Sequence, residues 1–176
     1  MQLTLSQSTI RSFRPSDAAS LMKHGGTYSV ARNMNNIPHP YTLEDAEQWI
    51  AIASGGNPET RFAITVDDEV VGGIGVTLPA SDRFGVSIHC AEIGYWLGES
   101  LWGRGIVSEA LAALTEWAFT ELRVVRLQAA VYARNPASAR ILEKAGYAFE
   151  GRLRARYFRD GEFIDGLQYA MVRLPG

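Results

Sequence analysis

The sequence predicts a mixed α+β fold, a sheet of parallel and antiparallel strands with helices packed on it. Three observations lead there. Runs that read as strands recur at 61–66, 70–78, 87–97, 125–132, 147–158 and 163–173. Two of them, 87–97 and 125–132, are separated by a long apolar-striped helix, the pattern of a parallel crossover. The others pair off around tight polar turns, Asp67-Asp68-Glu69 and Asp160-Gly161, which makes them antiparallel hairpins.

Taken in order, residues 9–14 read as a short strand. Pro15-Ser16-Asp17 opens a helix that runs to about His24 and stops at Gly25-Gly26. Residues 33–40 hold too many Asn and Pro for regular structure. Thr42 is a helix N-cap, with Asp45 in the place of the Glu or Gln of a capping box. Behind it, Ala46, Trp49, Ile50 and Ala53 have the spacing of one buried helix face. After the first hairpin and the 87–97 strand, residues 103–122 form the clearest helix, with Ile106, Ala110, Leu114, Trp117 and Ala118 on one stripe. A strand at 125–132 follows, then a helix at 137–145 ended by Gly146 as its C′ glycine, then the closing hairpin.

Composition narrows the function. The chain has 176 residues and is expected to form a single domain over 1–176. A net charge of −2 gives no support for a nucleic-acid partner. Cys90 is the lone cysteine, so no internal disulfide forms and a reducing, cytoplasmic compartment fits. Neither a signal peptide nor a membrane span is expected. His24, His39 and His89 make no metal-ligand pattern.

The most informative stretch joins the 87–97 strand to the long helix. Gly103 and Gly105 strip side chains from a helix N-terminus and Arg104 adds a positive charge, which suits a phosphate or pyrophosphate. A Walker A loop is a poor match: Gly98 and Gly103 have its glycine spacing, but Arg104-Gly105 follows where Lys-Ser/Thr is needed, so the Mg²⁺-binding hydroxyl is missing. A dinucleotide fingerprint is poor as well. Ser108 stands at its last glycine, and the next strand ends in Tyr132, Ala133 and Arg134, without the acidic residue for a ribose.

The segment from Trp102 to Ala110, Trp-Gly-Arg-Gly-Ile-Val-Ser-Glu-Ala, resembles motif A of the GNAT acetyltransferase superfamily, with Gly105 at its central glycine. The segment Ile37 to Ile50 resembles the P-x-P-Y-T-x-E-D-A stretch of its RimJ/RimL-like branch. Asn135 to Tyr147 resembles that branch's N-x-x-S-x-R-x-L-E-K-x-G-F/Y helix. The three segments occur in the family's order across about residues 9–174. The resemblance implies a mostly antiparallel sheet of six to seven strands, helices on both faces and a splayed parallel pair. It implies an enzyme that transfers an acetyl group from acetyl-coenzyme A to a primary amine, by direct attack in a ternary complex and without a metal. The acceptor would be a protein N-terminus, an amino acid, a polyamine or a drug-like amine, with a homodimer possible. The alternative is a non-catalytic acyl-coenzyme A sensor.

Residue by residue, the resemblance places the pyrophosphate on the backbone of Gly103, Arg104, Gly105, Ile106, Val107 and Ser108. It places the pantetheine arm beside Trp96 and Leu97, and adds Asn135 and Ser138 to the donor contacts. The attacking amine must lose a proton, and Glu92 is the first choice of base. Where many relatives carry a general-acid Tyr, this chain has Glu143, which leaves Ser138 or solvent to protonate the thiolate. Arg156 stands where RimL-like enzymes carry an acidic residue, which points away from a ribosomal acceptor. The plainer readings are a capping Ser138, a buried inert Cys90, a surface His39 and a solvated strand face of Arg152, Arg154 and Arg156.

Overall fold

The computed structural model describes residues 2–79 and 89–174. Its strands are β1 (Gln2–Thr4), β2 (Thr9–Arg11), β3 (Arg61–Val66), β4 (Glu69–Thr77), β5 (Cys90–Leu97), β6 (Arg126–Tyr132), β7 (Ala148–Arg159) and β8 (Glu162–Val172). Its helices are α1 (Ala18–Gly25), α2 (Tyr28–Ala31), α3 (Leu43–Ser54), α4 (Ile106–Glu121) and α5 (Pro136–Lys144). The strands hydrogen-bond in the order β1-β2-β3-β4-β5-β6-β8-β7. The mixed, mostly antiparallel sheet is as expected, but among the described residues it has eight strands, not six to seven. The addition is β1, whose three residues pair with β2 from Gln2↔Arg11 to Thr4↔Thr9. Three residues are too few for an alternation to register in the sequence.

Other boundaries shift for physical reasons. The helix expected from residue 103 starts at Ile106, because Gly103 (φ +76°) and Gly105 (φ +83°) lie in the left-handed region. The strand expected over 9–14 pairs only to Arg11, and Pro15–Asp17 makes a 3-10 turn ahead of α1. The first two residues of the strand expected over 87–97 lie outside the described residues. Gly146 (φ +88°) ends α5, and Asp160 (φ +53°) with Gly161 (φ +82°) forms the type of turn expected.

The one parallel ladder, β5 with β6, runs from Cys90↔Arg126 to Glu92↔Gln128 and stops there. The strands themselves continue to Leu97 and Tyr132, which is the parting of a parallel pair that the resemblance implied.

The chain divides into two compact units, Met1–Gly75 with Tyr95–Ala110, and Val76–Gly94 with Leu111–Gly176. In the first, α1, α3 and β3 close over Phe13, Ala18, Leu21, Ala46, Ile50, Ala53, Ala63 and Val70, with Trp49 and Trp96 packed against them. The capping box holds α3. Thr42 Oγ1 accepts from the Asp45 amide at 3.1 Å, and Asp45 Oδ2 accepts from the Thr42 amide at 2.8 Å. In the second, Leu111, Leu114, Leu127, Leu142 and Tyr147 are buried, and the Tyr147 and Thr115 hydroxyls meet at 2.8 Å.

Candidate active site

The first unit holds the glycine turn. The chain leaves β5 at Leu97. The Gly98 amide donates to the Val71 carbonyl at 2.7 Å, and the Trp102 indole N–H donates to the Leu97 carbonyl at 2.7 Å. A Cβ built at Gly103 or Gly105 would have no heavy atom within 4 Å, so the turn is open on the side that a ligand would fill. The Gly105 carbonyl takes the first bond of α4, from the Glu109 amide at 3.1 Å. The N–H groups of Ile106, Val107 and Ser108 therefore have no acceptor within the helix and carry its partial positive charge. The Ile106 and Val107 side chains are buried, so these residues offer a ligand backbone only, while Arg104 is exposed.

The turn is braced from the loop between β1 and β2. Gln7 Nε2 donates to the Arg104 carbonyl at 3.2 Å. The Ser6 amide (2.8 Å) and hydroxyl (2.7 Å) donate to the Glu109 carboxylate, and these bonds, the hydroxyl's first, hold it below its usual range. This bracing was not foreseen, because Ser6 and Glu109 lie 103 positions apart.

Trp96 is wedged among glycines. A Cβ at Gly73 would stand 2.6 Å from its indole nitrogen, one at Gly72 2.6 Å from its carbonyl oxygen, and one at Gly25 3.3 Å from its ring edge. A strand glycine often marks such a close approach, so Gly72 and Gly73 were the readable signal.

The second unit carries Glu92, Asn135 and Ser138. Glu92 is exposed and sits opposite Gln128 on the last rung of the parallel ladder. Asn135 caps α5, its Oδ1 accepting from the Ser138 amide at 3.2 Å. Ser138 thus sits in the first turn of α5, as the plainer reading had it, and its amide is the group that Asn135 caps. Glu143 accepts from the Tyr169 hydroxyl at 2.9 Å, which ties α5 to β8.

A residue absent from the expectations is Tyr157. Its hydroxyl donates to the Ala130 carbonyl at 3.1 Å, two residues past the end of the ladder, and its ring packs on Tyr132 at 4.6 Å. Burial first and the Glu92 carboxylate second push its phenol above the ordinary range, so it stays protonated at neutral pH. A bulge aims it. The register jumps between Leu153↔Gly166 and Tyr157↔Ile164, with Ala155 at φ +49° and its amide held by Asp165 Oδ1 at 2.8 Å. That bulge breaks the single alternating face expected of Arg152, Arg154 and Arg156, since alternation fails across the extra residues, although all three are exposed, as the solvated reading had it. Arg152 pairs with Asp165 at 2.6 Å, and Arg156 lies over the Tyr157 ring at 5.9 Å.

Cys90 is half-buried rather than buried, and His89 beside it is exposed. His39 Nδ1 lies 3.2 Å from the Gly26 carbonyl, and His24 Nε2 3.1 Å from Glu69. Among the described residues no three His, Cys, Asp or Glu side chains are arranged to hold a metal, and no helix is long and apolar enough to cross a membrane.

Comparison with known proteins gives a consistent answer. The acetyltransferase (GNAT) domain family matches residues 8–148. An uncharacterized N-acetyltransferase of Bacillus licheniformis, named p20, is 31% identical over 169 residues, 94% of this chain and 92% of that protein. Among solved structures, a ribosomal-protein alanine acetyltransferase from Vibrio fischeri superposes with a TM-score of 0.83 at 20% identity, covering 98% of this chain and 96% of the other. A RimL ribosomal-protein acetyltransferase in complex with coenzyme A gives 0.81 at 19% identity, covering 98% of each chain. At these identities the two structures speak for the fold.

Proposed function

From the premise that the chain belongs to the GNAT acetyltransferase family and is an acyltransferase, we propose that it is a cytoplasmic N-acetyltransferase of the RimJ/RimL-like branch, acting as one domain over 1–176. It takes the acetyl group of acetyl-coenzyme A to a primary amine. The observation that carries this is the open glycine turn at the head of α4, where two left-handed glycines leave backbone N–H groups bare for a pyrophosphate. Acetyl-coenzyme A would supply the acetyl group as an activated thioester, with coenzyme A leaving as the thiol.

The chain's own residues do the rest. Gly103, Arg104, Gly105, Ile106, Val107 and Ser108 hold the phosphates, and the β5 backbone at Trp96 and Leu97 aligns the donor arm. Asn135 and Ser138 are assigned as donor contacts on the family resemblance. Glu92 takes the amine proton, directly or through water, and Ser138 or solvent returns one to the departing sulfur. Glu143, engaged with Tyr169, is not assigned that task. Much of the acceleration comes from alignment of two bound reactants.

Thermal unfolding tests the reading. Acetyl-coenzyme A at about 100 times its Kd should add about 2.7 kcal/mol, a rise of several degrees, while ATP and NAD add nothing. A shift with ATP or NAD instead, or with none of the three, would sink it.

Replacing Glu92 by Gln should lower kcat by about 10- to 100-fold, with little change in KM for acetyl-coenzyme A and loss of the acid limb of the pH–rate profile. A wild-type profile in the variant removes Glu92 from the role of base.

A further inference from the structure

The first unit contains a pocket of about 170 Å³ lined by Leu21, Ile37, Tyr41, Trp49, Ile52 and Trp96, with Asn36, Pro38, Asp45 and Gln48 completing it. Its walls are mainly aromatic and aliphatic. By comparison, an apolar cavity of about 150 Å³ is enough to hold a benzene ring. The acetyl-transfer reading gives this pocket no task, yet one of its walls is Trp96, whose backbone that reading assigns to the donor arm.

The charges around it are already committed. Asp45 is the one acidic lining residue, and its Oδ2 accepts from both the amide (2.8 Å) and the hydroxyl (2.7 Å) of Thr42. The Arg61 guanidinium lies over the Trp49 ring at 5.8 Å, a positive charge beside the same wall. Tyr41 is pushed up to about 12, by burial first and by Asp45 second, so it meets a ligand as a neutral phenol. Asp45 keeps its charge, but its Oδ2 is turned to Thr42, and Arg61 sets a positive charge beside the same wall, so the surroundings do not favour a cation. The pocket's shape is held as well, because Gly73 and Gly25 fit closely around the Trp96 indole.

We propose that the Trp96 pocket is the side-chain subsite for the acceptor, and that the acceptor is an amine bearing an apolar side chain of up to about phenyl size. This rests on the acetyl-transfer reading and adds the acceptor class to it.

The test compares acetylation of glycinamide, leucinamide, phenylalaninamide and lysinamide, whose α-amines differ far less than their side chains. The expected result is a kcat/KM for leucinamide and phenylalaninamide about 10- to 100-fold above that for glycinamide. In Gln48→Trp, which fills the mouth from an exposed helix position, the ratio of phenylalaninamide to glycinamide should fall towards one. The ratio cancels any effect of the variant on donor binding or folding. Lysinamide as the best acceptor, equal rates for all four, or a ratio untouched by Gln48→Trp would each overturn the proposal while acetyl transfer stands. A second readout needs no turnover. N-acetylphenylalaninamide should perturb the tryptophan fluorescence at a concentration about tenfold below that needed with N-acetylglycinamide. That preference with none of the four amines acetylated would show a pocket for apolar ligands and overturn its assignment as the acceptor subsite, while the test with acetyl-coenzyme A alone still decides the acetyl-transfer reading.

Discussion

The Gly105→Val variant should fold and yet show no thermal stabilisation by acetyl-coenzyme A, its Kd rising by 100-fold or more. Gly105 sits at φ +83°, where a β-branched side chain is strained, and its carbonyl takes the first hydrogen bond of α4. The position is exposed and a Cβ there meets nothing within 4 Å, so the protein itself has no clash to relieve. The cost to the fold is the backbone term, of the order of 1–2 kcal/mol or somewhat more for a branched residue. Binding is hit twice. The side chain occupies the space that a phosphate would take, and any relaxation of φ turns the N–H groups of Ile106 and Val107 away from it. Calorimetric titration of acetyl-coenzyme A into the folded variant reads this directly. Wild-type affinity would show that the turn is not the phosphate site.

Asp17→Ala should produce the largest loss of stability, about 3–5 kcal/mol and a fall in Tm of roughly 10 °C. Arg11 and Asp17 are 5% and 6% exposed, and their side chains form a two-bond pair at 2.7 and 2.9 Å. Asp17 Oδ2 also accepts from the Arg14 amide at 2.7 Å, which ties down the entry to α1. Its hydrogen bond is the leading cause that raises the pKa of Arg11, so the guanidinium stays charged. Without the carboxylate that buried charge keeps only Asp68 and two backbone carbonyls, those of Ser12 and Asp68. The double change Arg11→Met with Asp17→Leu removes both charges and should recover much of the loss, since an apolar pair often replaces a buried ion pair at little net cost. A single variant that melts within about 2 °C of wild type would show that the pair contributes little.

Both predictions turn on how far a residue's partners lie along the chain. The Thr42–Asp45 box, the C′ glycine at 146, the Asp160-Gly161 turn and the glycines at 103 and 105 were legible because their partners are within a few residues. Each feature follows from backbone geometry that composition and short spacing encode. The stripe on α4 was legible for the same reason, with Ile106, Ala110, Leu114 and Ala118 all buried. The Ser6–Glu109 brace, the Trp96 wedge and the aim of Tyr157 were not. Tyr157 shows why. Its hydroxyl reaches Ala130, 27 positions away, only because a bulge at Ala155 adds residues to β7 opposite Asp165. Nothing in Arg-Leu-Arg-Ala-Arg-Tyr marks that bulge, and the alternating arginines read as an unbroken face.

By itself, then, the sequence determined the order of the elements, the mixed sheet, the glycine turn and the family through its motifs. All of these arise from local spacing and backbone preference. Tertiary structure alone decided the eighth strand, the buried Arg11–Asp17 pair, the setting of Tyr157 near Glu92 and the apolar pocket around Trp96. The setting of Tyr157 and the pocket depend on contact between segments tens of residues apart. The Arg11–Asp17 pair spans only six positions and β1 pairs with the strand that follows it, and there burial and the edge of the sheet decide, since the environment of a side chain comes from its neighbours in space.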